Sequence, residues 1–129
     1  MSQYVDVPEQ LKAREPLFHR RELVSSRESF DRETADDFWE VGASGQVYSR
    51  DVVRDRILER LANLDEDEMV TRKWTTSEHR VLELAADTFL FAYVLHGQGR
   101  VTRRSTIWRR HHARGWQALY HQGTVVREV

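Results

Sequence analysis

The stretch Arg100–Val126 (RVTRRSTIWRRHHARGWQALYHQGTVV) constrains the fold of this chain more than any other. Two runs rich in β-branched and aromatic residues flank a short polar connection at His111–Gly115, which predicts two antiparallel strands joined by a tight turn. The run before them, Thr88–His96 (TFLFAYVLH), is almost continuously apolar. That pattern suits a central strand covered on both faces. Gly97-Gln98-Gly99 turns this run into the next. Thr71–Leu84 alternates roughly and ends at a turn over Ala85–Asp87, so the second half of the chain reads as an antiparallel meander.

The first half reads mainly as helix. Over Val7–Ser25, Leu11 and Phe18 lie seven apart and share a face, with Glu15 and Glu22 close to the same stripe. Pro16 removes a backbone donor, so the regular helix starts or kinks near it. Ser25-Ser26-Arg27-Glu28 matches the S-x-x-E capping box and predicts a second helix to about Thr34, ended by Asp36-Asp37. Phe38–Ala43 reads as a strand, with Phe38 and Glu40 on one face and Trp39 and Val41 on the other. After the turn signal Ser44-Gly45, Ser49 caps a third helix over Arg50–Asn63, striped by Val53, Ile57, Leu61 and Leu64. Asp65–Glu68 is an acidic loop without the spacing or glycine of a calcium loop, and no metal site is expected. The whole, residues 1–129, is expected to form one α+β domain with helices packed on one face of a mostly antiparallel sheet.

Composition narrows the function classes. The chain has no cysteine, which excludes disulfides, thiolate metal sites and cysteine nucleophiles and leans towards the cytoplasm. No apolar run reaches the roughly 18 residues a membrane span needs, and MSQYVDVPEQ lacks the features of a signal peptide. Charge is split: Met1–Glu68 carries 17 acidic and 10 basic residues, and Met69–Val129 carries 4 and 10. A basic half can serve nucleic acid, but a pI of 6.6 for the whole chain favours acidic helices facing a basic sheet. No phosphate-binding loop, dinucleotide fingerprint, nucleophile elbow or zincin motif is present, and no cofactor is expected.

Three local patterns resemble the nuclear transport factor 2-like (NTF2-like) superfamily, and within it the small bacterial DUF4440 and SnoaL-like proteins. They are the acidic pair leading into a strand, a Gly-x-Ser-Gly turn and a capped helix (Asp36–Val52); Arg103-Arg104-Ser105-Thr106 on the penultimate strand; and Gly115-Trp116 opening a last strand that closes in His121-Gln122-Gly123-Thr124. The resemblance implies a cone-shaped fold with about three N-terminal helices on a strongly curved sheet, a pocket enclosed by the two, and a homodimer through the outer sheet face. Its members include isomerases, cyclases, dehydratases and non-catalytic dimerisation modules, so it does not choose a reaction. Laid on the ketosteroid isomerase pattern, Val41 takes the position of the catalytic acid, with Glu40 one residue away. Ser105 or Arg103 takes the position of the oxyanion-site acid. Both departures argue against steroid isomerase chemistry.

The candidate site residues follow from faces and chemistry. Strict alternation through the closing hairpin puts Arg104, Thr106, Trp108, Trp116, Ala118, Tyr120 and Gln122 on one face, and Arg103, Ser105, Ile107, Leu119, His121 and Gly123 on the other. The second face is assigned to the pocket, with His121 as general acid or base beside Arg103 and Ser105. The first, with Trp108, Trp116 and Tyr120, is assigned to a partner subunit. The reverse assignment would bring Arg104, Tyr120 and Gln122 into the pocket. Trp39 and Glu40 on the first strand, and Glu15 and His19, four apart on a helix, complete the expected ligand-binding set. The expectation is a small organic ligand, with anions among the candidates, and a proton-transfer reaction if the protein is an enzyme. A non-catalytic dimerisation module with a vestigial pocket is the rival reading.

Overall fold

The computed structural model describes residues 6–63, 73–97 and 99–126. The elements run α1 (Val7–Lys12), a 3-10 turn (Leu17–His19), α2 (Arg27–Glu33), β1 (Thr34–Val41), β2 (Val47–Ser49), α3 (Arg50–Asn63), β3 (Trp74–Ala85), β4 (Thr88–Gly97), β5 (Arg100–His111) and β6 (Gly115–Val125). The strands form one six-stranded sheet in the order β2-β1-β6-β5-β4-β3. All neighbours are antiparallel except β1 and β6, which run parallel. The α+β class and the four-strand meander stand as expected. The acidic loop Asp65–Glu68 and Gln98 fall outside the described residues.

Several local expectations shift. The helix predicted over Val7–Ser25 is a short α1, a break at Pro16 and a 3-10 turn, because the proline cannot continue the hydrogen-bond ladder. The capping box of α2 sits one residue later than predicted. Ser26 Oγ accepts from the Ser29 N–H at 3.1 Å, and Ser29 Oγ accepts from the Ser26 N–H at 2.9 Å. Asp36-Asp37 does not end the element before it. Both residues lie exposed within β1, which starts at Thr34. The third helix spans Arg50–Asn63 as predicted, with Ser49 Oγ accepting from the Val52 N–H.

The helices cover one face of the sheet. Leu11, Leu17, Val24, Phe30, Phe38, Val53 and Ile57 pack there against Phe89, Phe91, Trp108 and Ala118. Each buried Val, Leu, Ile or Phe among them contributes about 1.5–3 kcal/mol by leaving water. Phe18 joins them by stacking on Phe30 at 5.6 Å and meeting Phe38 edge-on.

One irregularity decides the faces of the closing hairpin. Ile107 pairs with Tyr120, but Trp108 pairs with Ala118, so Leu119 is an extra residue in β6. This is a β-bulge, and it inverts the alternation on one side of itself. Trp116 and Ala118 therefore share the helix-covered face with Trp108, while His121 shares it with Thr106 directly opposite. Strict alternation had placed His121 with Arg103 and Ser105. The bulge instead puts it with Arg104 and Thr106.

Candidate functional site

His121 is buried, at 4% exposure, and both of its ring nitrogens are engaged. Its neighbour across the parallel β1–β6 pair is Glu40, whose Oε1 lies 2.7 Å from Nδ1. From β5, Arg104 donates its Nε–H to His121 Nε2 at 3.1 Å. A guanidinium has no acceptor, so Nε2 is the acceptor in this bond and Nδ1 carries the ring proton donated to Glu40. Phe18 closes the ring edge-on at 6.5 Å. The result is a neutral imidazole held in one tautomer between a carboxylate and a guanidinium.

Arg104 is half-buried and stands directly opposite Tyr93 on β4. The His121 contact is its sole hydrogen bond among the described residues, and it pairs with no carboxylate there. The residue borders two open clefts. One, of about 260 Å³, is lined by Phe18, His19, Glu40, Tyr48, Val53 and Ile57, together with Arg56 and Arg60 of α3. The other, of about 440 Å³, adds Lys73, Trp74, Leu95 and Arg100. The side chains bordering these clefts include five Arg and Lys residues and one carboxylate, Glu40. Positive charge is thus concentrated where Arg104 has donors to spare.

Beneath the site the protein is closely packed. The cavity between His121, Arg104, Thr106, Phe38 and Glu15 is about 10 Å³, room for roughly one water-sized sphere. At its floor lies Glu15, 3% exposed. Glu15 Oε2 accepts from Tyr93 Oη at 2.7 Å and from the Leu17 N–H at 3.2 Å, and Oε1 accepts from Trp108 Nε1 at 3.1 Å. Burial, and then the Glu15 charge, push the Tyr93 phenol well above its ordinary range.

The sequence-predicted set is thereby divided. His121 and Glu40 come together, and His19 lines both clefts beside them. Glu15 does not form an i, i+4 pair with His19 on a helix; it precedes the 3-10 turn and is spent on the core. Arg103 and Ser105 belong to the outer face, where the Arg103 side chain is 63% exposed and lies 3.9 Å from Glu78. Trp39 is also outside, 45% exposed, with its ring 4.5 Å from that of Tyr120. Trp108 and Trp116, expected at a partner surface, are core residues whose indole N–H groups bond Glu15 and Gln10. Tyr120 keeps its outward place. Arg104 keeps the face it shares with Thr106 and Trp108, but that face is the helix-covered one rather than a partner surface, as the reverse assignment required. Alternation leaves polar and apolar residues mixed on both faces of β6, which is the one local hint of a bulge. Among the described residues, no three His, Asp or Glu side chains converge as a metal site would require.

The outer face has its own order. Trp39, Tyr120, Ile107, Leu90 and Leu82 are direct register partners across β1, β6, β5, β4 and β3. They form one apolar row over five strands, and Leu82 at its end is 57% exposed.

No protein-family model matches the chain, and no curated protein does. Solved structures do. An NTF2-like protein from Cytophaga hutchinsonii shares 12% identity over 98% of this chain and 100% of its own, with a TM-score of 0.68. An NTF2-like protein of unknown function in nutrient uptake from Rhodospirillum rubrum shares 17% over 98% and 100%, TM-score 0.67. An uncharacterized protein with a cystatin-like fold from Caulobacter vibrioides shares 13% over 92% and 89%, TM-score 0.68. At such identities the likeness establishes the fold, which is NTF2-like, and not an activity.

Proposed function

We propose that this protein binds a small organic acid in the clefts beside Arg104, with the carboxylate on the guanidinium and the hydrocarbon body against Phe18, Tyr48, Val53 and Ile57. The observation that carries the reading is Arg104 itself. A half-buried guanidinium that borders a cleft, with one hydrogen bond from Nε and no carboxylate paired to it among the described residues, is matched to a planar oxyanion. His121, oriented by Glu40, is the adjacent group able to move a proton. The matching reaction class is isomerisation, cyclisation or dehydration by proton transfer, with His121 as acid or base and no cofactor. We group the chain with the SnoaL-like, cone-pocket members of the fold on its local patterns at Asp36–Val52 and Arg103–Thr106.

A second reading has its own support. The cavity reaching His121 is about 10 Å³, while an apolar row crosses the outer face. These two features favour a homodimer built on Trp39, Tyr120, Ile107, Leu90 and Leu82, with the site vestigial. The dimer itself is compatible with either reading.

Thermal unfolding in the presence of octanoate, benzoate and phenylacetate separates them. The acid-binding reading expects stabilisation of the wild type by at least one acid and its loss in Arg104→Met. No stabilisation by any of the three, or equal stabilisation of Arg104→Met, sinks it.

A further inference from the structure

The bond from Arg104 to His121 has a consequence for ligand entry. We propose that Arg104 is a clasp on His121 that an incoming carboxylate opens, and that acid binding draws one proton into the site. The proposal rests on the organic-acid reading above and adds how the site responds to its ligand.

The argument starts from the donors. Arg104 spends Nε on a neutral imidazole nitrogen. A carboxylate is a stronger acceptor than imidazole, and it binds a guanidinium best on two parallel N–H groups. The edge formed by Nε and its neighbouring terminal nitrogen is such a pair, and His121 occupies half of it. A carboxylate arriving from the cleft on that edge displaces Nε2. The freed Nε2 then faces a carboxylate oxygen across hydrogen-bond distance. Two lone pairs repel there, and one added proton turns the contact into a charge-assisted hydrogen bond.

The carboxylates beside the ring act in the same direction, and the nearby guanidinium groups act against it. In the free protein the ring lies between Glu40 of β1 and Arg104 of β5. Glu15, from the segment before the 3-10 turn, lines the same small cavity. His19 of the 3-10 turn and Arg56 and Arg60 of α3 border the cleft that also touches Glu40 and Arg104. An acid that takes the Arg104 guanidinium places negative charge at Nε2 while Glu40 keeps Nδ1. An imidazole with a carboxylate at each nitrogen is stabilised as imidazolium. The proton comes from solvent and rests on Nε2, and the bound carboxylate is held between two cations.

The test uses the intact protein and the same three acids. In the free wild type, nitrogen-15 spectra of His121 should show the Nδ1–H tautomer. Saturation with a binding acid should convert both nitrogens to the protonated form. Calorimetry in two buffers of different ionisation enthalpy should report uptake of about one proton per site, and affinity should fall by up to about tenfold per pH unit wherever that proton is taken up. His121→Gln should still bind the acid without proton uptake. A free-state Nε2–H tautomer overturns the clasp. Arg104-dependent binding with no proton uptake also overturns it and leaves the organic-acid reading standing. Absence of Arg104-dependent binding removes both.

Discussion

Arg104 and His121 lie on adjacent strands, two positions out of register, and a single hydrogen bond of 3.1 Å joins Nε to Nε2. That offset sets the polarity of the whole site. The guanidinium commits its inner nitrogen to the ring and keeps its terminal donors, and the imidazole gives its proton to Glu40.

Replacing Arg104 by lysine keeps the charge and removes the planar fork. Binding of a carboxylic acid should weaken by about tenfold, from the loss of one charge-assisted bond. Arg104→Met should weaken it further. Titration calorimetry at fixed ionic strength checks the order wild type, lysine, methionine. Equal affinities for lysine and wild type would show that the cleft uses Arg104 as a point charge alone.

Glu15→Gln turns one acceptor oxygen into a donor. Tyr93, Trp108 and the Leu17 amide all donate to that group, so one of them then faces an N–H. The variant should lose about 1–3 kcal/mol, the cost of leaving a buried donor unsatisfied. Urea unfolding should show a lower midpoint at unchanged slope.

Tyr93 sets an alkaline limit on stability. Its folded-state phenol titrates well above the ordinary tyrosine value of 10.0, chiefly from burial and then from Glu15. The unfolded chain loses this proton first, so the contribution is fully present below about pH 10 and is lost as pH rises towards the folded value. Stability should fall above pH 10 in the wild type more steeply than in Tyr93→Phe. Tyr93→Phe should itself be less stable at neutral pH by about 1 kcal/mol or more, because Glu15 loses its shortest hydrogen bond. Chemical denaturation at several pH values compares the two slopes.

Trp39→Ser and Tyr120→Ser interrupt the outer apolar row where two aromatic rings meet. Sedimentation should show a wild-type dimer and a shift towards monomer for the double variant, with dissociation rising by at least about tenfold. Folding should be preserved, since Trp39 is 45% exposed. A wild type that is monomeric at micromolar concentration removes the sheet-face interface.

Much of this molecule is legible in its residues. Apolar, β-branched and aromatic runs and the glycine turns between them located β4, β5 and β6 to within a residue or so, because strand-forming composition and turn chemistry are local properties. Ser49 and the stripe of Val53 and Ile57 located α3 for the same reason. His121 and Glu40 stood out as titratable groups on strands, and the fold brings their side chains within 2.7 Å of each other.

The relation between them was not local. Glu40 meets His121 because β1, 81 residues away in sequence, pairs parallel with β6, and no periodicity encodes which strand a strand will pair with. The faces of the hairpin turned on one extra residue, Leu119, which strict alternation cannot register. With it, Trp108, Trp116 and Ala118 bury against the helices while His121 still points inward. Without it, a regular strand would have to expose either the indoles or the histidine. The sequence by itself determined the four strands of the meander, their turns and the polar residues they carry, while β2 and the start of β1 escaped it. The tertiary structure decided which of those residues share a face, because burying both tryptophans and the histidine together outweighs one unpaired position in the ladder.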